Sequence, residues 1–233
     1  MTPQTNLRAI PSFTLYGDGT VIVPGAVIQI YPGPAIYPLV RSRLSERQVQ
    51  ALLRRAARAG LLARGAIDYG TVGVSDMPTT TLLVNAGGKH LERAAYALGA
   101  TAGGNGLSAA QARARQALAR FIAGLPHGLS GGLYTPRAVA VYAGPATGPA
   151  QPAANRIVWP LKRNLATAGT RVSSGLSYRC LSVGGADAKV LLARLRKANE
   201  LSRWTTPTAP GKSYELIARP LLPDEPDCAS LRR

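Results

Sequence analysis

Carboxylates are what this chain lacks most. Its 233 residues hold 11 Asp and Glu against 28 Lys and Arg, a formal net charge of +17, and no Asp or Glu lies between Glu92 and Asp187. That gap excludes a dinucleotide site at Gly104-Asn-Gly-Leu-Ser-Ala109. The glycine pattern is there, but the acid about 20 residues further on is not, so the stretch reads as a loop leading to a helix cap. Histidine is equally scarce. His90 and His127 have no Cys or His at ligand spacing, which excludes a zinc site. Gly128-Leu-Ser-Gly-Gly132 matches a nucleophile elbow by pattern only. The elbow wants a preceding strand, a following helix and a later acid and His, and no His follows His127. Asp68, Asp76 and Glu92 show no spacing that points to paired-carboxylate chemistry. Asp224, Glu225 and Asp227 are broken by Pro226, lack a calcium-loop pattern, and are expected to meet arginines inside the protein. No catalytic residue, metal or cofactor is expected. With two Phe and two Trp the core has to be mainly aliphatic, and no apolar run of about 18 residues supplies a membrane-spanning helix. The first residues show no apolar segment of a signal peptide.

What is present is punctuation and arginine. Twenty-five Gly and 18 Pro imply many turns and short elements. Arginine outnumbers lysine 23 to 5, as GC-rich coding would give, but coding bias does not explain the surplus of basic over acidic residues. That surplus favours polyanionic partners. It is densest in residues 41–64, where seven arginines meet one acid, Glu46. Within that stretch the spacing predicts a helix over about 45–59. Ser45 and Gln48 form a capping box, Val49, Leu52, Leu53 and Ala56 an apolar face, and Gly60 a left-handed stop. Arg41, Arg43, Arg47, Arg54, Arg55 and Arg58 are the candidate anion-binding residues.

The rest of the chain reads as follows. Residues 1–11 read as a frayed arm. Residues 12–23 form a hairpin turned by Gly17-Asp18-Gly19, in which Asp18 is structural. A strand covers 26–30, and a second hairpin joins 79–84 to 90–98 across Asn85-Ala-Gly-Gly88. Ser108 and Gln111 cap a second helix, which Pro126 ends. Strands fall at 138–142, 157–160, 178–183 and 213–219. A third helix covers 186–201. Its Val190–Leu201 segment echoes Ala51–Leu62, with Asn199 at the place of Gly60. The echo leaves two readings open, a duplicated strand–helix–strand unit or two similar amphipathic helices.

Two cysteines remain. Cys180 sits in a strand-like run and Cys228 in an acidic, proline-rich tail. An isolated pair of this kind suits a disulfide pinning the tail to the body, and with it an oxidising compartment. The alternative is two unrelated thiols.

Several stretches resemble uncharacterised exported proteins and lipoproteins of high-GC Gram-positive bacteria. They are Phe13-Thr-Leu-Tyr-Gly-Asp-Gly-Thr20, Ile30-Tyr-Pro-Gly-Pro-Ala35, the Leu44–Leu62 helix, Asp68-Tyr69 with Asp76-Met-Pro-Thr-Thr80, and Arg219-Pro-Leu-Leu-Pro-Asp-Glu-Pro-Asp-Cys228. The resemblance implies export and a tail disulfide, and no assigned activity. The chain lacks the visible signal peptide and the lipobox cysteine of that group.

The expected fold is α+β, with antiparallel hairpins and sheet and three amphipathic helices packed on them. It divides into halves 1–126 and 127–233 or forms one continuous domain. The leading functional expectation is a non-enzymatic extracellular or cell-envelope protein that binds an anionic polymer, a lipid surface or a protein partner. A cytoplasmic, nucleic-acid-associated protein is the alternative, and an unrecognised hydrolase comes third.

Overall fold

Along Ala138-Val-Ala-Val-Tyr-Ala143, Val139, Val141 and Ala143 point to one side of a strand and Ala140 and Tyr142 to the other. The computed structural model describes residues 3–100, 106–172 and 176–231, and there both sides of this strand are buried. The elements begin with α1 (Pro3–Arg8), β1 (Thr14–Leu15), β2 (Thr20–Pro24), β3 (Leu39–Arg43) and α2 (Glu46–Arg58). Next come β4 (Thr79–Ala86), β5 (Lys89–Tyr96), α3 (Ala109–Ala123), β6 (Gly132–Leu133) and β7 (Ala138–Pro145). The chain continues through β8 (Arg156–Val158), β9 (Thr170–Arg171), β10 (Arg179–Gly184), α4 (Gly185–Leu195), β11 (Arg203–Thr205) and β12 (Ser213–Pro220). The fold is α+β with mainly antiparallel sheets, as the pattern predicts.

Two compact units result. One contains Met1–Thr14, Ile22–Arg41 and Gly131–Arg233, and the other Leu15–Val21 and Ser42–Ser130. The first is built on a six-stranded sheet of order β8-β11-β12-β7-β10-β9, antiparallel except where β11 runs parallel to β8. On one face Val139, Val141, Leu181, Val183 and Leu216 pack with α4 and with Trp159 and Trp204, whose rings meet edge-on at 6.2 Å. On the other face Tyr142, Cys180 and Ile217 pack with Leu221, Cys228 and Leu7 of α1. The tail covers this second face because three sets of contacts hold it there. Cys180 and Cys228 form a disulfide. The Cys228 amide donates to Ser182 Oγ at 2.8 Å. Arg219 grips Glu225 with two bonds of 2.7 and 2.8 Å while its Nε donates to Ala9 O. The tail carboxylate thus meets an arginine inside the protein, as expected.

Three expectations need correction in this unit. The amino-terminal arm is docked. Its residues Pro3–Arg8 are helical, and Arg8 pairs with Glu200 at 3.5 Å. Residues 26–30 form no strand. The Ile30 amide closes a local turn onto Ile28 O, and both isoleucines stay exposed. The third helix stops at Leu195 rather than 201, because residues 33–35 take over the backbone groups that follow it: Ala35 N–H donates to Ala198 O and Glu200 N–H to Gly33 O. Asn199 is absent from the left-handed residues and instead braces its loop, accepting from Leu201 N–H and donating to Ala153 O.

The second unit packs α2, α3 and the β4–β5 hairpin around Ala56, Leu61, Tyr69, Ala95, Leu118 and Phe121. Its turn at Gly17–Gly19 requires glycine. Gly19 has φ +84°, a Cβ there would sit 2.3 Å from Leu44 O, and Leu44 N–H donates to Gly19 O. Asp18 accepts from the amide and hydroxyl of Thr20, which holds its carboxyl below the usual range. Two arginines are buried in this unit without a carboxylate. Arg93 donates to Leu61 O, Ala63 O, Gly65 O and Glu92 O. Arg115 donates to Tyr69 O, Tyr96 O and Ala97 O.

Two outcomes follow. The disulfide closes a separation of 48 residues, so reduction should cost about 4 kcal/mol of unfolding free energy in the chain-entropy view. Urea titration with and without reductant measures this, and thiol titration of the native protein should find no free thiol. Arg93→Ala should cost about 3 kcal/mol because it strands the buried Leu61 carbonyl and the part-buried carbonyls beside it, and Arg93→Lys should not restore the loss, since an ammonium cannot span the same carbonyls. The unfolding midpoint at constant m-value reports both.

Candidate functional site

Helix α2 forms where the sequence says it should. Ser45 Oγ accepts from the Gln48 amide and Gln48 Oε1 accepts from the Ser45 amide, completing the capping box. Val49, Leu52 and Ala56 are buried. At its end Gly60 takes φ +73°, Gly60 N–H donates to Ala57 O and Leu61 N–H to Ala56 O, while Leu61 is buried. This is a Schellman ending, with the apolar residue after the glycine folded back onto the helix.

Such a helix holds its outward face rigidly. At 100° per residue, Arg47, Arg54 and Arg58 fall within about 40° of one another and span about 16 Å along the axis. All three are exposed, and none makes an ion pair among the described residues. Glu46, the one nearby acid, is taken by Gln50 Nε2 at 2.8 Å. Arg55 stands apart. Its Nη1 donates to Gly124 O at 2.7 Å and its guanidinium lies 5.8 Å from the Phe121 ring centroid, so it ties α2 to the end of α3. Gly124 has to stay small for this, since a Cβ would come within 1.9 Å of Arg55 Nη2. Arg41 and Arg43 are exposed on β3, Arg41 in the first unit and Arg43 in the second.

The acidic and motif candidates serve local structure. Asp68 accepts from Gln111 Nε2 and from Gly70 N–H, which keeps its carboxyl below its ordinary value. Asp76 is in the left-handed region at φ +57°, and Glu92 is exposed on β5. His127 Nε2 meets Ala123 O in the last turn of α3. Gly128–Gly132 follows a helix and enters β6, the reverse of an elbow, and Ser130 O accepts from Ser42 Oγ. Gly104 and Asn105 of the other glycine motif lie outside the described residues. Among the described residues no three His, Cys, Asp or Glu converge as metal ligands.

One basic cluster escapes the sequence reading. Arg156, Arg203 and Lys212 line a cavity of about 480 Å³ in the first unit. The inward Ile157, Trp204 and Tyr214 imply that their strand neighbours face the other way. The parallel pairing of β8 with β11, which sets Arg156 beside Arg203, leaves no local signal.

Committed and free arginines should respond differently to truncation. Arg55→Ala should lower the unfolding free energy by about 1–2 kcal/mol, whereas Arg54→Ala should stay within about 0.5 kcal/mol of the parent. Chemical denaturation of the two variants checks this. No protein-family model, curated protein or solved structure matches the chain.

Proposed function

We propose that the protein works in an oxidising, extracellular or envelope compartment as a non-catalytic binder of anionic surfaces, with the outward face of α2 as its contact. The observation that carries this is the aligned, exposed and unpaired set Arg47, Arg54 and Arg58 on a helix closed at both ends. Three guanidiniums in a row on a rigid support match a surface of repeated phosphate or carboxylate groups. Each basic residue held near an anionic membrane is worth about 1 kcal/mol. Arginine keeps its charge at any physiological pH and bonds phosphate in a planar fork. The Cys180–Cys228 disulfide supports the compartment, since such bonds persist outside the reducing cytosol. Among the described residues no helix is long and apolar enough to cross a membrane, so attachment through this face would be peripheral.

Co-sedimentation with vesicles tests the reading. Binding to vesicles rich in phosphatidylglycerol should exceed binding to neutral phosphatidylcholine and should weaken with added salt. Replacing Arg47, Arg54 and Arg58 by Gln together should weaken it about a hundredfold, the sum of about 1 kcal/mol per residue. Equal binding by the parent and the triple variant would overturn the reading. Salt-sensitive binding to random duplex DNA that exceeds vesicle binding would move it to nucleic acid.

A further inference from the structure

The second face of the six-stranded sheet is apolar over β7, β10 and β12, where the tail lies on it, and changes character toward β11 and β8. There the pleat turns Arg203 and Thr205 of β11, Arg156 and Val158 of β8, and Ser213 of β12 to the same side. The loop 206–212 and the loop 148–150 complete a cavity of about 480 Å³ that these residues line together with Lys212. No carboxylate lines it.

Two features of this cavity bear on what it can hold. Arg156 and Arg203 are register partners on adjacent parallel strands, so both side chains leave the same side of the sheet from backbones about 4.8 Å apart. Arg203 is also held in place without an ion pair. Its Nη2 donates to Thr147 O at 3.0 Å and Pro149 O at 3.4 Å, while its buried Nη1 has no hydrogen-bond partner. Its cross-strand neighbour Glu215 accepts instead from Tyr178 Oη. Arg203 is thus fixed by loop carbonyls and faces Glu215 across the β11–β12 ladder, while the exposed Arg156 and Lys212 bring further positive charge to the cavity lining.

We propose that this cavity is a binding site for a phosphomonoester on a small polar scaffold of about sugar size. The phosphate sits among Arg156, Arg203 and Lys212, and the hydroxyls of Thr205 and Ser213 meet the polar scaffold. A dianion is drawn to this basic lining, and charge-assisted bonds to guanidinium are stronger than neutral ones. The volume lies in the range of small-molecule sites and exceeds what a bare phosphate fills. No aromatic side chain lines the cavity, so there is no platform for a nucleobase. The site belongs to the first unit and is independent of the α2 face.

Isothermal titration with glucose 6-phosphate, inorganic phosphate and glucose as separate probes, paired with thermal melts, decides the matter. Glucose 6-phosphate should bind at roughly millimolar concentration or better, more tightly than phosphate, and glucose should not bind. At tenfold excess over Kd it should raise the melting temperature by about 4 °C. The Arg156→Gln variant, at an exposed position, should melt within about 2 °C of the parent without ligand and should lose the ligand-induced shift. The Arg156→Gln, Lys212→Gln double variant should bind at least tenfold more weakly. Unchanged affinity in the double variant would overturn the proposal, as would no binding by the parent. So would affinity lost only when Arg47, Arg54 and Arg58 are replaced, which would place phosphate binding on α2. Tighter binding of inorganic phosphate than of glucose 6-phosphate would overturn the sugar-sized scaffold.

Discussion

With far fewer acids than bases, this protein cannot pair most of its arginines with carboxylates. It gives them backbone carbonyls instead. Arg93 collects carbonyls of the loop that follows α2, and Arg115 those of Tyr69, Tyr96 and Ala97. Arg55 closes α3, Arg203 holds the 147–149 loop, and Arg179 holds Ala168 and Gly169. A carbonyl at the end of a helix or in an irregular loop has no ladder partner, and burying it unpaired is costly. A guanidinium, with five donors in a rigid fork, can satisfy several such groups at once. The many Gly- and Pro-rich connections of the chain supply those carbonyls, so the two compositional oddities answer each other.

Neutralisation is the part this arrangement omits. A carboxylate partner would cancel the charge, whereas a carbonyl leaves it standing. Arginines used as structural ties therefore still contribute to the positive field, and the exposed ones on α2 add to it. The contrast with the tail is instructive. Among the described residues Arg219 is the one buried arginine with a bidentate carboxylate, and it secures the tail rather than facing a partner. In the first unit Arg156, Arg203 and Lys212 gather at the β8–β11 edge, and in the second Arg47, Arg54 and Arg58 line α2. The first cluster is the one proposed for a small ligand and the second the one proposed for an extended surface.

What could be read from sequence was what short range decides. Ser45, Gln48 and Gly60 specify both ends of α2 within a few residues, and Gly17-Asp18-Gly19 specifies a turn whose geometry Gly19 alone permits. The alternation at 138–143 marks a strand, and the isolated cysteines suggested the bridge that the structure contains. The failures came where distant partners decide. Residues 26–30 have strand composition, but no strand pairs with them. The residues after Leu195 have helical composition, but 33–35 compete for their backbone. Whether Arg54 is free and Arg55 bound depends on the end of α3, 69 residues away. The basic cavity needs β8 set parallel to β11, a pairing without any local mark.

The Cys180–Cys228 bond also turns part of the chain into a covalent ring. That ring contains α4, β11 and β12 and the loop 206–212 that walls the cavity. A single backbone cut in that loop would open the ring without releasing either piece, because the bridge and the sheet would still hold both. The nicked protein would run as one species on a non-reducing gel and as two after reduction. In a setting rich in proteases, the loop that shapes the cavity is thereby protected against loss, though not against cleavage.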